Sequence, residues 1–495
     1  MKAVRVCSWA AAPTTTDYHR GHANPTGRRP ASSVSAPGTW RSPMGAPRPA
    51  RVLVTCCNTF QNKGDAALTL ALDGELRRLL PDAEVTYSLR APRLAREELA
   101  GRRLIPQFVT RDTAPGARLA ALAARLDPRL IPAVAVLQAQ VLVRWIRAWA
   151  WVDGHSSRLA ARMLPGALRT LVREVRAADC VVAAPGGYLL TVTAADVGWI
   201  HAAAPLIAAG ALGVPLVLAA MTIGPIPDVQ LPAARLAIGA ADLVLLREGR
   251  SAPWVERIGV PASRVGMSAD MAWLTEPAAE LPEAATAALA AVPGDGPLVA
   301  FAVRDFGFPH AADPAAARDA YLDALAGAAD RLVERRGIRP LFVSQVVAPP
   351  VTDTDVARQV MARMRHAATL VDVPLTAREA SALYGRLDLL IGVRMHAGIL
   401  AMAAGTPFVG IGYGIKHAGT MSDLGLGRYL TAIDGLDAAW LSEAAEAALD
   451  DAPALRATLA TRVPELQARA RAGSERIAAL IGTATAHAQA RGRRS

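Results

Sequence analysis

The sequence predicts an α/β protein in which two parallel-sheet units face each other across a cleft, and three observations carry that expectation. Apolar runs of strand length alternate with helical stretches over most of residues 51–433, the pattern of βα units whose sheets are covered on both faces. A stretch rich in Pro, Ala and acid, 276–296 (EPAAELPEAATAALAAVPGDG), separates two such series and is read as a linker. Glycines and charged residues gather just past the apolar runs, where open α/β sheets bind ligands.

With 495 residues and 52% hydrophobic content, the chain has room for two or three domains and a large core. Its formal charge of +11 is unevenly placed. Residues 1–50 hold Lys2, Arg5, Arg20, Arg28, Arg29, Arg41 and Arg48 against Asp17, and Arg491, Arg493 and Arg494 end the chain. The body is therefore near neutral, so no nucleic-acid partner is expected. The tails are read as solvated, with peripheral adhesion to an anionic membrane as the alternative. Residues 1–50 lack a continuous apolar run and are rich in Pro, Ser, Thr, Gly and Arg. They read as a disordered basic tail, or as an over-extended start of the reading frame, and not as a signal peptide. Cys7, Cys56, Cys57 and Cys180 have no metal or disulfide spacing, which suits a reducing cytoplasm and small buried hydrophobes.

The N-terminal α/β domain is expected over 51–275. Arg51–Cys57 (RVLVTCC) is its first strand, and a polar loop leads to a helix capped by Asp65, with Leu68, Leu72, Leu76 and Leu80 on one face. Glu84–Leu89 is a second strand. Residues from about 90 to 175 read as a helical insertion, and the Trp- and Arg-bearing segment Leu130–Val152 within it can lie on a membrane surface or pack on the core. Strands Asp179–Ala184, Pro215–Ala220 and Leu243–Arg247 follow, with a Gly186-Gly187 turn after the first. Val197–Pro225 carries no charge, but its glycines and prolines divide it into helix, turn and buried strand.

The C-terminal α/β domain is expected over 297–433, with strands at Leu298–Val303, Leu341–Val346, Leu370–Val373, Leu389–Gly392 and Phe408–Gly412. Helices are expected near 315–335 and 353–367. Residues 434–495 add Ala-rich helix and the basic end.

The densest candidate site is Leu387–Leu426. Arg394 and His396 leave one strand at a helix start, and Tyr413, Lys416 and His417 follow the next strand. Cationic side chains and free helix N–H groups together suit an anion. His396 is the sharpest candidate for proton transfer, because a bound polyanion would recruit a proton to it. Arg247 and Arg304 occupy other strand ends, where a structural ion pair and a substrate contact are both open. Asn62-Lys63-Gly64-Asp65 is either a structural turn or a ligand loop, with Asn62 and Asp65 as its candidate contacts. Gly186-Gly187 is either a tight crossover or a cleft-lining loop with exposed amides. No P-loop or dinucleotide spacing is present.

In order, these blocks resemble the polysaccharide pyruvyl transferase family. The matching residues are Asn62-x-Gly64-Asp65-x-Ala67, Pro185-Gly186-Gly187, Ile223-Gly224-Pro225, Arg247-Glu248-x-x-Ser251 with Asp270, and Ile391-Gly392-x-Arg394-x-His396-Ala397. Gly405-x-Pro407, Tyr413-x-x-Lys416 and Asp423-Leu424-Gly425 complete the set, which spans roughly 51–430. Two departures are Ala184-Pro185 before the glycine pair and Met221-Thr222 in place of a more polar pair; both bear on the acceptor pocket.

The resemblance implies two Rossmann-like domains facing across a cleft, similar to the glycosyltransferase B architecture. It also implies phosphoenolpyruvate as donor substrate, with no cofactor and no metal, and a saccharide or lipid-linked saccharide as acceptor. In that scheme His396 is the proton donor, Arg394 clamps the carboxylate or phosphate, Lys416 neutralises phosphate, and Arg247 or Arg304 is a further clamp. The expected location is the cytoplasm or the inner face of the cell membrane. Two other readings stay open: a nucleotide-sugar glycosyltransferase or epimerase of similar fold, and a catalytically idle polysaccharide-assembly scaffold.

Overall fold

The computed structural model describes residues 48–107, 127–191, 193, 196–347 and 352–492. The expectation of a disordered tail over 1–50 falls almost wholly outside them. Two parallel sheets account for the strands, and both belong to one unit, Pro49–Ser495.

The first sheet holds β1 (Arg51–Cys57), β2 (Glu84–Leu89), β3 (Arg103–Pro106), β4 (Cys180–Ala183), β5 (Gly186–Leu189), β6 (Leu216–Ile223), β7 (Leu243–Leu246) and β8 (Val265–Met267). Their order is β3-β2-β1-β4-β6-β7-β8, with β5 also on β6. The second holds β9 (Leu298–Ala302), β10 (Arg339–Val343), β11 (Thr369–Val371), β12 (Leu389–Gly392), β13 (Phe408–Gly412) and β14 (Leu430–Ala432), in the order β11-β10-β9-β12-β13-β14. All described pairings within these sheets are parallel, with Val52 opposite Cys180 and Gly392 opposite Ala302 as examples of register. β4, β6, β7, β9 and β12 are buried along their whole length, which is why they read as unbroken apolar runs.

Chain order reverses direction between β1 and β4 in the first sheet and between β9 and β12 in the second. Ligand crevices of open α/β sheets lie at such switch points, beyond the strand C-termini. The segments that follow these four strands carry Asn62, Gly186, Arg304 and Arg394.

Several elements differ from the sequence reading. Gly186 and Gly187 open a strand, β5, whose ladder to Met221 and Ile223 overrides the poor strand propensity of glycine. The segment from 90 to 175 is not all helical, since β3 extends the sheet beside β2. The 276–296 stretch contains the helix Glu283–Ala290. The helical C-terminal part comprises Ala438–Asp450 and Ala452–Gly492. The second returns to the first sheet's side, where Gln467 Nε2 donates to the Trp273 carbonyl at 3.0 Å and Arg469 Nη2 to that of Ser268 at 2.9 Å.

Candidate active site

Asn62, and not Asp65 as the sequence suggests, caps the helix Lys63–Leu79, its Oδ1 accepting the Gly64 N–H at 3.1 Å, while Asp65 falls in the first turn. Asp65 Oδ2 accepts from Asn62 Nδ2 at 2.7 Å and from Asn58 Nδ2 at 2.9 Å. Burial pushes the Asp65 pKa up, and the nearby charges of His396, Lys416 and Arg394 pull the other way. This loop of the first sheet therefore faces the cationic groups of the second.

His396 lies in the first turn of the helix Met395–Ala403, which starts three residues after the end of β12. Its ring rests on Gly64, where an added Cβ would sit 2.3 Å from Nδ1 and 2.6 Å from the His396 Cβ. Only glycine allows that approach. Across the ring, Nε2 is 3.6 Å from Asp270 Oδ2. Arg247 Nη1 donates to the same oxygen at 2.6 Å, and Arg247 Nε donates to Thr222 Oγ1 at 2.8 Å. Burial opposes ionisation of Asp270, but Arg247 and His396 outweigh it and hold the carboxyl below the usual carboxylate range. Thr222, Arg247, Asp270 and His396 thus form a chain from the first sheet to the second. Among the described residues Arg247 Nη2 has no hydrogen-bond partner, and it points at Gly187, whose added Cβ would be 2.9 Å away.

Arg394 is the N-cap residue of its helix, and its fork is engaged by Asp353: Nη2 to Oδ1 at 2.5 Å and Nε to Oδ2 at 3.1 Å. Asp353 is itself fixed by the backbone N–H groups of Gln345 and Val346. Burial works against the Arg394 charge, yet Asp353 more than compensates and raises its pKa. The expectation of Arg394 as a clamp is thereby narrowed, because Nε and one Nη2 hydrogen already serve Asp353.

Beyond β13, Tyr413 is surrounded by cations. Arg304 lies 4.5 Å and the Lys416 Nζ 5.5 Å from its ring centroid, with Phe306 alongside at 5.5 Å. Burial opposes the phenolate, but Lys416, Arg304 and Arg394 prevail and bring the hydroxyl pKa down to about 7. His417 is a different case. It is fully buried, packs edge-on to Tyr413 at 4.6 Å, and its Nε2 meets the Val393 carbonyl at 3.1 Å. Burial, with Lys416, drops its pKa to about 3, so it stays neutral and supports the fold here instead of meeting a substrate.

The structure therefore brings Asp65, Arg304, Arg394, His396, Tyr413 and Lys416 together and ties Arg247 to them through Asp270. Gly187 is exposed beside Arg247, whereas Gly186 is buried. Three residues escaped the sequence reading as site groups: Asn58, Asp353 and Lys63. Lys63 is buried, its Nζ donating to the Ser344 carbonyl at 2.6 Å, and burial lowers its pKa to about 8 against the pull of Asp353. An apolar-to-basic step at a strand end is visible in a sequence, but a partner brought in from another lobe is not. Among the described residues no cluster of three or more metal-ligating side chains occurs.

Two Rossmann-like domains, with cationic strand ends meeting over an acid and a histidine, define an α/β protein similar in fold to the glycosyltransferase B class. The chain belongs to the polysaccharide pyruvyl transferase family, whose model matches residues 62–415. Among solved structures it is similar to Anabaena HepE in complex with UDP and glucose, at 14% identity and a TM-score of 0.51, covering 88% of this chain and 100% of that one. A UDP-bound S. aureus MnaA aligns at 11% identity with a TM-score of 0.52, covering 86% and 94%. A putative UDP-N-acetylglucosamine 2-epimerase from Listeria monocytogenes aligns at 13% identity with a TM-score of 0.50, covering 86% and 94%. At these identities the likeness is one of fold.

Proposed function

We propose that this transferase moves the pyruvyl group of phosphoenolpyruvate onto two hydroxyls of a sugar in a polysaccharide or its lipid-linked precursor, forming a ketal and releasing phosphate. The observation that carries this reading is the grouping of Arg304, Arg394 and Lys416 around Tyr413, next to His396 and Asp65. A donor bearing both carboxylate and phosphate calls for several fixed cations, and charge held in place before the reaction is the strongest contribution a site can make.

Protonation of the enol carbon C3 by the His396 imidazolium leaves positive charge at C2, shared with its oxygen. A first sugar hydroxyl adds to C2 and gives up its proton, and cleavage of the C2–O bond to phosphate follows. The second hydroxyl then closes the ketal. Of the two hydroxyl protons, one replaces that delivered to C3 and the other leaves with phosphate. Asp65 is suited to accept the hydroxyl proton, because burial makes its carboxylate more basic than an exposed one. Asp270 stabilises the imidazolium, and Arg247 holds Asp270 in place. Lys416, Arg304 and the uncommitted N–H groups of Arg394 bind the donor's anionic ends.

The experiment is phosphate release by purified wild-type and His396→Ala protein with phosphoenolpyruvate and a panel of oligosaccharide or lipid-linked acceptors, with the ketal read as added acceptor mass. Loss of one preorganised contact of this type costs about 100-fold or more. Near-wild-type turnover by His396→Ala would remove it from the chemistry. Absence of product across the panel, combined with thermal stabilisation by nucleotide sugars alone, would favour a nucleotide-sugar enzyme.

A further inference from the structure

The helix Ile131–His155 is, among the described residues, the one long and apolar enough to cross a membrane by length and composition. One face of it is committed elsewhere. Ala135, Ala139, Leu142, Ile146 and Trp149 are buried, and Trp149 Nε1 donates to the Ala160 carbonyl at 3.1 Å, binding the helix to its successor, Ser157–Met163. A helix packed in this way cannot span a bilayer without leaving the fold.

Its other face is open. Leu130, Leu137 and Trp151 recur on that face at helical spacing and are 45%, 46% and 68% exposed, and Leu159 on the next helix is 57% exposed. These are four of the seven large hydrophobic side chains that stand exposed among the described residues. Scattered exposed hydrophobics are ordinary, but a concentration on one hairpin marks an interaction surface.

The charged side chains on the outward face of the hairpin are arginines, while Asp127, three residues before Leu130, accepts the Arg129 N–H. Arg144, Arg147, Arg158 and Arg162 are exposed and make no ion pair among the described residues. Asp153, the acid of the hairpin, is engaged by Arg176. An arginine beside a tryptophan and leucines is the composition of a helix lying in a headgroup layer, where the aliphatic stems sink and the guanidinium groups stay with phosphate.

We infer that the outward face of Ile131–His155, continued by Leu159, docks the protein onto an anionic lipid surface. Trp151, Leu137 and Leu130 enter the interface, and Arg144 and Arg147 meet lipid phosphates. A second copy of the chain fits less well, because a two-fold contact through this face would set the same arginines against each other. The inference does not depend on the proposed chemistry, and a pyruvyl acceptor need not be lipid-linked for it to hold.

The test is sedimentation of the full-length protein with vesicles of phosphatidylcholine alone and with vesicles containing equal parts phosphatidylglycerol. The basic chain ends can also adhere, so wild type is compared with Arg144→Gln/Arg147→Gln and with Trp151→Gln, all retaining both ends. Binding to the anionic vesicles is expected, weakened by salt and reduced about 25-fold by the double variant, at about five-fold per arginine. Trp151→Gln should also reduce it, with circular dichroism and turnover on a water-soluble acceptor unchanged. Equal binding by all three proteins would overturn the inference, as would equal affinity for the two vesicle types. Loss of a dimer by light scattering in Trp151→Gln, without vesicle binding by wild type, would assign the face to a second copy.

Discussion

Gly64→Ala is the sharpest perturbation available, because it adds one methyl group against the proposed proton donor. The new Cβ would lie 2.3 Å from His396 Nδ1, whereas ordinary contact starts at 3.4 Å, so the imidazole must withdraw by about 1 Å. The helix backbone at residue 64 is held by the Asn62 cap and by the Lys63 bonds to Ser344 and Gln345, so the side chain has to move. A displacement of about 1 Å at a reacting group costs on the order of 100-fold in turnover. Stability should change much less: alanine in a helix gains about 1 kcal/mol over glycine, against about 1–3 kcal/mol for local overpacking. Gly74 in the same helix supplies the control, since its Cβ would meet nothing within 4 Å. The assay is kcat for phosphate release alongside urea unfolding of both variants. Gly74→Ala should keep full activity and gain up to about 1 kcal/mol. If Gly64→Ala turned over within about three-fold of wild type, His396 would not be acting from the position the structure gives it.

The phenol of Tyr413 should titrate near pH 7, visible as phenolate absorbance that disappears in Tyr413→Phe and moves to higher pH in Lys416→Met, because the cations favour the ionised form. Asp270→Asn should destabilise the fold at neutral pH by about 3–5 kcal/mol in urea unfolding, since it strands the buried Arg247 guanidinium. The wild-type contribution of Asp270 is complete above the ordinary carboxylate pKa of about 4 and fades as pH falls below it toward the depressed folded value, so the variant should show a shallower acid dependence. Burial pushes the Cys56 thiol up to about 12 and raises Cys57 and Cys180 as well, so these three should react with a thiol reagent at neutral pH only on unfolding. Rapid labelling of any of them in the folded protein would contradict their burial.

The fold was legible wherever burial on both sides forces an unbroken apolar strand. Leu389–Gly392 and Phe408–Gly412 are found with the bounds the sequence suggests, and β6 only extends three residues further, to Ile223. The strands that escaped notice are short: β3 is Arg103–Pro106, four residues, and β8, Val265–Met267, and β14, Leu430–Ala432, have three each, all partly exposed. At that length periodicity carries no signal, and the strand exists because a neighbouring ladder offers it partners. The glycine pair in β5 is a second instance of the same cause.

Legibility of the site divides along a related line. Arg304, Arg394, Tyr413 and Lys416 could be picked out because each follows an apolar run, and a strand end is a local property of sequence. Their partners could not, since Asp353 reaches Arg394 from 41 residues away and Ser344 meets Lys63 across 281. His396 belongs to the second sheet, yet Gly64 and Asp270 of the first sheet set its position, and Arg247 sets Asp270. Lys63 ties the same two sheets together a few residues away. The proposed acid is therefore a property of the two lobes in contact, and neither lobe alone would hold the imidazole between glycine and carboxylate. That arrangement gives a physical reason for Gly64, Arg247, Asp270 and His396 to occur together in one chain: the first three build the seat, and His396 is delivered to it.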